Sequence, residues 1–156
     1  MAQQNSIIYL TRDQVLDTYS KTIDYSGGGT KDAIHLELLD TILDFVQNDD
    51  YYPTFEKKLT YLIFSINRNH IFEDGNKRLS ISIGALFMLL NGYMCFVARY
   101  MTEMENVSYH LASGHIEEEL LNEIIHSILE GEPDYSEDLK LRIYESISNK
   151  EINLCD

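Results

Sequence analysis

Residues 70 to 78, His-Ile-Phe-Glu-Asp-Gly-Asn-Lys-Arg, bring a base, a carboxylate and the makings of an anion cradle into one short stretch. Lys77 onward reads as a helix, so the amides of Gly75, Asn76 and Lys77 stand at its N-terminus without intrahelical acceptors, where the macrodipole also favours negative charge. Such a terminus suits phosphate. Gly75 lets the backbone approach a ligand with no side chain in the way, and Asn76 can hold its own carbonyl or a phosphate oxygen through its amide. Lys77 and Arg78 add fixed positive charge, with Arg able to grip phosphate through two parallel hydrogen bonds. Asp74 is an oxygen ligand of the kind Mg²⁺ accepts when it arrives carrying nucleotide phosphates, and it can equally cap the helix. His70 supplies the side-chain type that exchanges a proton near neutrality, so it can take one from an attacking hydroxyl. Phe72 reads as support packed beneath the loop, fixing where His70 and Asp74 point. Glu73 reads as a surface carboxylate. Arg68, two residues before His70, has two open roles: pairing with a carboxylate on the outer face, or touching substrate or phosphate.

The elements that must position these groups are helical. Thr11-Arg-Asp-Gln14 is a capping box opening a helix that buries Val15 and Tyr19 and ends near Ile23. Gly27, Gly28 and Gly29 break the pattern; 31–47 then places Ile34, Leu38, Leu39, Ile42 and Phe45 at helical spacing. Pro53 suits the first turn of a third helix with Phe55, Leu59, Leu62, Ile63 and Ile66 inward, which delivers His70. The motif helix, 77–91, is apolar almost all round and should be the central buried one, stopped by Gly92. Tyr93 to Ala98 reads as a short extended run, and Thr102-Glu-Met-Glu105 as a capping box for a short helix ending near Gly114. A helix over 116–130 follows, with Leu120, Ile124, Ile125 and Ile128 inward, and a last one over 136–148 carries Leu139, Ile143 and Ile147 on one stripe. The expected architecture is all-α, a compact bundle of about six to seven helices with at most one small β-hairpin flap.

The pattern His-x-Phe-x-Asp/Glu-Gly-Asn-Gly/Lys-Arg resembles the signature of the Fic/Doc family, and this version is closer to the Doc branch, the death-on-curing toxins. In the adenylyltransferase branch a Gly stands where this chain has Lys77, and a second Arg follows where it has Ile81. The resemblance implies a Fic/Doc domain over 1–131 with a helical extension over 132–156 packed on it. It further implies ATP as substrate, Mg²⁺ on Asp74, His70 as the catalytic base, and Gly75, Asn76, Lys77 and Arg78 as the phosphate-binding set. Doc-type members are similar in being kinases that phosphorylate a threonine of elongation factor Tu and stop translation, held in check by a separate antitoxin protein. The same residues serve an AMP-transferase if the α-phosphate rather than the γ-phosphate lies under His70; a catalytically inactive interaction module is the third possibility. Fic-like proteins carry a target-binding flap in about the place of Gly28, Gly29, Thr30 and Lys31, and Arg68 is a further candidate for target contact. The 136–148 segment leaves self-inhibition open.

The bulk numbers agree with a globular protein. In 156 residues, 44% hydrophobic content is enough for a single core. The formal net charge of −14 argues against direct nucleic-acid binding, which needs clustered Lys and Arg. The acidic run over 117–138 reads either as a solvated face or as a surface steering toward a basic protein partner. No stretch is apolar for long enough to span a bilayer, and the first residues lack the regions of a signal peptide, so a cytoplasmic location is expected. Cys95 reads as a small core residue, and with Cys155 it makes neither a disulfide framework nor a metal pattern. Tyr51 and Tyr52 read as helix-edge packing.

Overall fold

The computed structural model describes residues 6–26 and 35–152. Seven helices follow in chain order: α1 (Arg12–Ser26), α2 (Leu36–Phe45), α3 (Phe55–Arg68), α4 (Asn76–Leu90), α5 (Met94–Ala112), α6 (Glu118–Leu129) and α7 (Glu137–Ile152). Among the described residues there is no strand, and the fold is all-α. The expected hairpin flap falls on 27–34, outside the described residues, as does Cys155.

The capping box at the start of α1 forms reciprocally: the Thr11 amide donates to Gln14 Oε1 at 2.9 Å, and the Gln14 amide donates to Thr11 Oγ1 at 3.2 Å. α1 buries Val15, Tyr19 and Ile23 and runs one turn beyond its expected end. In α2 the inward residues are Leu39, Ile42 and Leu43; Phe45, expected inside, lies at the rim against Tyr51, Tyr52 and Tyr61. Pro53 does not occupy the first turn of α3. It stands before the cap, Thr54, whose hydroxyl accepts from the Lys57 amide at 3.1 Å. Lys58 is fully buried on α3, its ammonium donating to the Val46 carbonyl at 3.0 Å and to Asp49 at 2.7 Å.

α4 lies at the centre, packed against α3, α5 and α1. Its apolar surface is not buried all round: Leu89 is exposed, while Leu79, Ile83, Phe87 and Met88 are fully inside. Gly84 on α4 receives the fully buried Tyr100 of α5, whose hydroxyl donates to the Ile81 carbonyl at 3.0 Å.

The extended run expected over Tyr93 to Ala98 is instead the first two turns of α5, and Thr102 is no cap but an interior residue donating to the Ala98 carbonyl at 3.1 Å. Tyr100, Met104, Val107 and Leu111 recur at helical spacing and bury one face, which outweighs local strand preference. With that change Cys95 turns outward and is exposed rather than a core residue. α6 buries Leu121, Ile124, Ile125 and Ile128, with Leu120 only partly covered. α7 packs on α6 through Leu139, which is buried, and through Arg142, which pairs with Glu123. No described helix is long and apolar enough to cross a membrane.

Candidate active site

α3 ends at Arg68, and the chain turns sharply. The Asn69 amide and the Asn69 side chain both donate to the Ser65 carbonyl, and the Ile71 amide donates to the Asn69 carbonyl at 2.9 Å, closing a three-residue turn with His70 at its apex. Ile71 and Phe72 then plunge into the core while His70 is left exposed. The turn therefore separates the anchors from the reactive group: apolar side chains at 71 and 72 fix the loop, and the imidazole faces outward.

Asn76 locks the other end of the loop. Its side chain is buried; its Nδ2 donates to the Phe72 carbonyl at 2.8 Å and its Oδ1 accepts from the Phe72 amide at 3.2 Å. Both functions of the carboxamide go to the loop, so its contribution to the mouth is its backbone amide. Phe72 is stacked on Tyr19 of α1, ring centroids 3.7 Å apart, and the Tyr19 hydroxyl donates to the Asp74 carbonyl at 2.7 Å.

Gly75 caps α4 in the left-handed region, with φ of 84°. The conformation requires glycine, and a Cβ there would in addition lie 2.8 Å from Ile23 Cδ1, so the end of that side chain would have to move. The ladder of α4 begins with the Leu79 amide donating to the Gly75 carbonyl at 2.9 Å, which leaves the amides of Asn76, Lys77 and Arg78 as the N-terminal donors of the helix. The Gly75 amide is different from the sequence expectation: it donates to Asp74 Oδ1 at 2.8 Å. The other oxygen of Asp74 lies 3.7 Å from the Arg78 guanidinium.

These groups share one hollow of about 380 Å³, lined by Asn67, His70, Glu73, Asp74, Gly75, Asn76, Lys77, Arg78 and Ala112. The imidazole, the helix mouth, the Asp74 carboxylate and both cations thus face a common space. Lys77 reaches toward α5, its ammonium 5.5 Å from the centre of the Tyr109 ring. A Mg²⁺ ion fits this donor set in one manner. Among the described residues no three His, Cys, Asp or Glu side chains converge on a point, so Asp74 would supply a carboxylate and substrate phosphates the remaining oxygens.

Arg68 is placed elsewhere. Its guanidinium donates to the carbonyls of Leu111 at 2.6 Å and Ile116 at 3.1 Å, pairs with Glu117 at 3.3 Å and lies over Phe64. Of its two open roles, carboxylate pairing is the one it makes, as a tie between α3 and the α5–α6 turn. Gly28, Gly29, Thr30 and Lys31 lie outside the described residues.

Sequence reasoning passed over two residues here. Asn67 is buried on α3, its Nδ2 donating to the Ser108 carbonyl at 3.0 Å, and it lines the hollow. A polar amide on an otherwise apolar face was the available signal. Tyr19 gave none, because its partner Asp74 is 55 residues away.

No curated protein and no solved structure matches this chain. A sequence model of the Fic/DOC family matches residues 9–88. That span is just over half of the 156 residues and holds α1, the His70 turn, the helix mouth and nearly all of α4. The chain belongs to the Fic/DOC family, whose members transfer nucleotide-derived groups to proteins.

Proposed function

We propose that this protein is a kinase that transfers the γ-phosphate of ATP to a serine or threonine hydroxyl of a protein target, acting in the cytoplasm as the toxin of a toxin–antitoxin pair. The observation that carries the reading is a contrast between two hollows that meet at Arg78. One is the polar hollow of His70 and the helix mouth. The other, about 460 Å³, lies on the far side of Arg78; Tyr25, Ile81 and Met101 make the apolar part of its wall, and its second cation, Lys21, is paired with Asp17 at 2.8 Å. Ile81 offers no charge to terminal phosphates, whereas an apolar wall suits a nucleobase. ATP that crosses Arg78 with its base on the Ile81 side carries its triphosphate into the polar hollow, and the phosphate farthest from the base comes under His70.

In that pose the hydroxyl oxygen of the target attacks the γ-phosphorus and gives its proton to His70. The new O–P bond forms as the bond from phosphorus to the β,γ-bridging oxygen breaks, and ADP departs. The amides of Asn76, Lys77 and Arg78, with the Lys77 and Arg78 side chains, face the charge that spreads over the phosphoryl oxygens. Asp74 would hold Mg²⁺, which when bound neutralises phosphate charge. Positioning supplies much of the effect, and the Asn76 and Tyr19 contacts to the loop serve that end.

The resemblance of 70–78 to the Doc branch points to elongation factor Tu as the target and to an antitoxin as partner. Intact-mass analysis of elongation factor Tu incubated with the protein, ATP and Mg²⁺ tests this. Gain of a phosphate is expected. Gain of an adenylyl group instead means an AMP-transferase, and a His70→Ala protein as toxic to cells as wild type means an interaction module without catalysis.

A further inference from the structure

The opposite end of α3 carries a second, unrelated feature. Phe45, Tyr51, Tyr52 and Tyr61 form a continuous aromatic cluster: Tyr52 stacks on Tyr61 with centroids 4.3 Å apart, and Phe45 touches all three tyrosines at centroid distances of 5.1 to 5.9 Å. Phe45 is 39% and Tyr51 64% exposed. Beside them a hollow of about 200 Å³ is lined by Tyr51, Tyr52, Lys57, Glu118, Glu119 and Asn122, together with Thr60. Its innermost residue on α3, Thr60, stands about 10 Å along the helix from Asn67 of the His70 hollow, at 1.5 Å per residue, and no residue lines both hollows.

Three properties of this corner define what it would take. Aromatic faces and a carboxylate attract a cation. Glu118 is partly desolvated, and burial raises its pKa while Lys57 opposes that, so its charge is less well solvated than that of an exposed acid. Asn122 holds its side-chain carbonyl oxygen out of solvent with no hydrogen-bond partner among the described residues, and rotation about its soft terminal torsion can offer that oxygen to a donor in the hollow. A guanidinium meets all three at once: a flat face for the tyrosine rings, and several N–H groups for Glu118 and Asn122. The aromatic rim extends beyond the hollow to Phe45 and Tyr51, which is more surface than one small cation covers, and the chain carries a net charge of −14.

We infer that the corner formed by Tyr52, Tyr61, Glu118 and Asn122 is a docking site for an arginine side chain on a basic segment of a partner protein, with Phe45 and Tyr51 covering the residues beside it. Lys57 sits at the lip and is displaced toward solvent when the site is filled.

Fluorescence anisotropy of a labelled Gly-Arg repeat peptide against the full chain, at physiological salt, tests the site, with a Gly-Lys repeat and free spermidine as comparison arms. The Gly-Arg peptide binds, and both Glu118→Gln and Tyr52→Ala weaken it by about tenfold or more. Glu137→Gln on α7 removes the same charge from a remote position and changes affinity by less than about twofold. Tyr52→Phe keeps the ring and retains binding, which separates loss of stacking from loss of fold. Equal losses in Glu118→Gln and Glu137→Gln overturn the site in favour of a diffuse field. Absence of Gly-Arg binding, or spermidine competing as well as the Gly-Arg peptide, also overturns it. The reading of the His70 site stands or falls independently of these results.

Discussion

Tyr19 and Phe72 lie face to face, planes 15° apart and ring centroids 3.7 Å apart, so the helix that opens the domain serves as the bed of the loop that carries His70. The Tyr19 hydroxyl extends the same contact to the Asp74 carbonyl at 2.7 Å. Tyr19→Phe keeps the stack and loses the hydrogen bond, which costs about 1 kcal/mol and lowers the melting temperature by about 2–4 °C. The transfer rate should fall much further, by about tenfold, because small misplacement of reactive groups is expensive in rate. Tyr19→Ala, which also empties the stack, should cost about 3 kcal/mol or more. Thermal melts beside steady-state transfer rates check both; equal sensitivity of rate and stability in Tyr19→Phe would argue that the loop tolerates the change.

His70 and Asn76 should separate chemistry from scaffolding. His70 is exposed at the apex of its turn, so His70→Ala should melt as the wild type does while transfer drops by about 10²–10⁴-fold, the usual worth of a general base. Asn76→Ala leaves the buried amide and carbonyl of Phe72 without partners and should lower stability by about 2–4 kcal/mol along with activity. Urea unfolding of the two variants, run beside transfer assays, distinguishes them: an Asn76→Ala protein of full stability would mean that the loop holds its shape without the clamp.

The parts of this fold that could be read from sequence are those whose causes are local. The Thr11–Gln14 box, the apolar stripe of α3 and the 70–78 string each carry their signal within a few residues. α5 is not legible in this way: Tyr93 to Ala98 and Thr102 to Glu105 look locally like a strand and a fresh helix start, whereas the cause of one long helix is the burial of Tyr100 and Met104 against other elements. Phe45 fits the inner spacing of α2, but the tyrosines that hold it at the rim come from the next loop and from α3. At the site, residue types told the chemistry, while the ties were invisible. Nothing near Arg68 in sequence reveals the carbonyls of Leu111 and Ile116 that claim its guanidinium.

Gly84 is where the motif helix admits α5. A Cβ built there would stand 2.0 Å from the Tyr100 hydroxyl oxygen and 2.8 Å from its Cζ, and the ring is fully buried with its hydroxyl committed to the Ile81 carbonyl. Gly84→Ala should therefore destabilise by about 3 kcal/mol despite the better helix propensity of alanine. In a Tyr100→Phe background, where the closest atom is gone, the same substitution should cost less. A double-mutant cycle measured by denaturant unfolding reads this coupling directly, and additive effects would show that the crowding is relieved elsewhere.

His126 of α6 and Glu56 of α3 give the fold a shallow pH dependence. The imidazole Nδ1 lies 2.7 Å from Glu56 Oε1, and this hydrogen bond, against some opposing desolvation, raises the His126 pKa above 6.5, with the charges of Glu56, Glu130 and Glu132 adding to the rise. The folded state therefore holds the proton more tightly than the unfolded chain does. Its stabilisation is fully present below pH 6.5 and is lost as the pH climbs through the higher folded-state value. His126 is 55% and Glu56 23% exposed, so after screening the effect is about 0.5 kcal/mol. Urea midpoints of the wild type and of His126→Asn, compared between about pH 6 and pH 8.5, isolate it, because other titrating groups contribute equally to both proteins. The gap between the two should narrow with rising pH and should shrink with added salt; a gap that stays constant would assign the value of His126 to packing rather than to its proton.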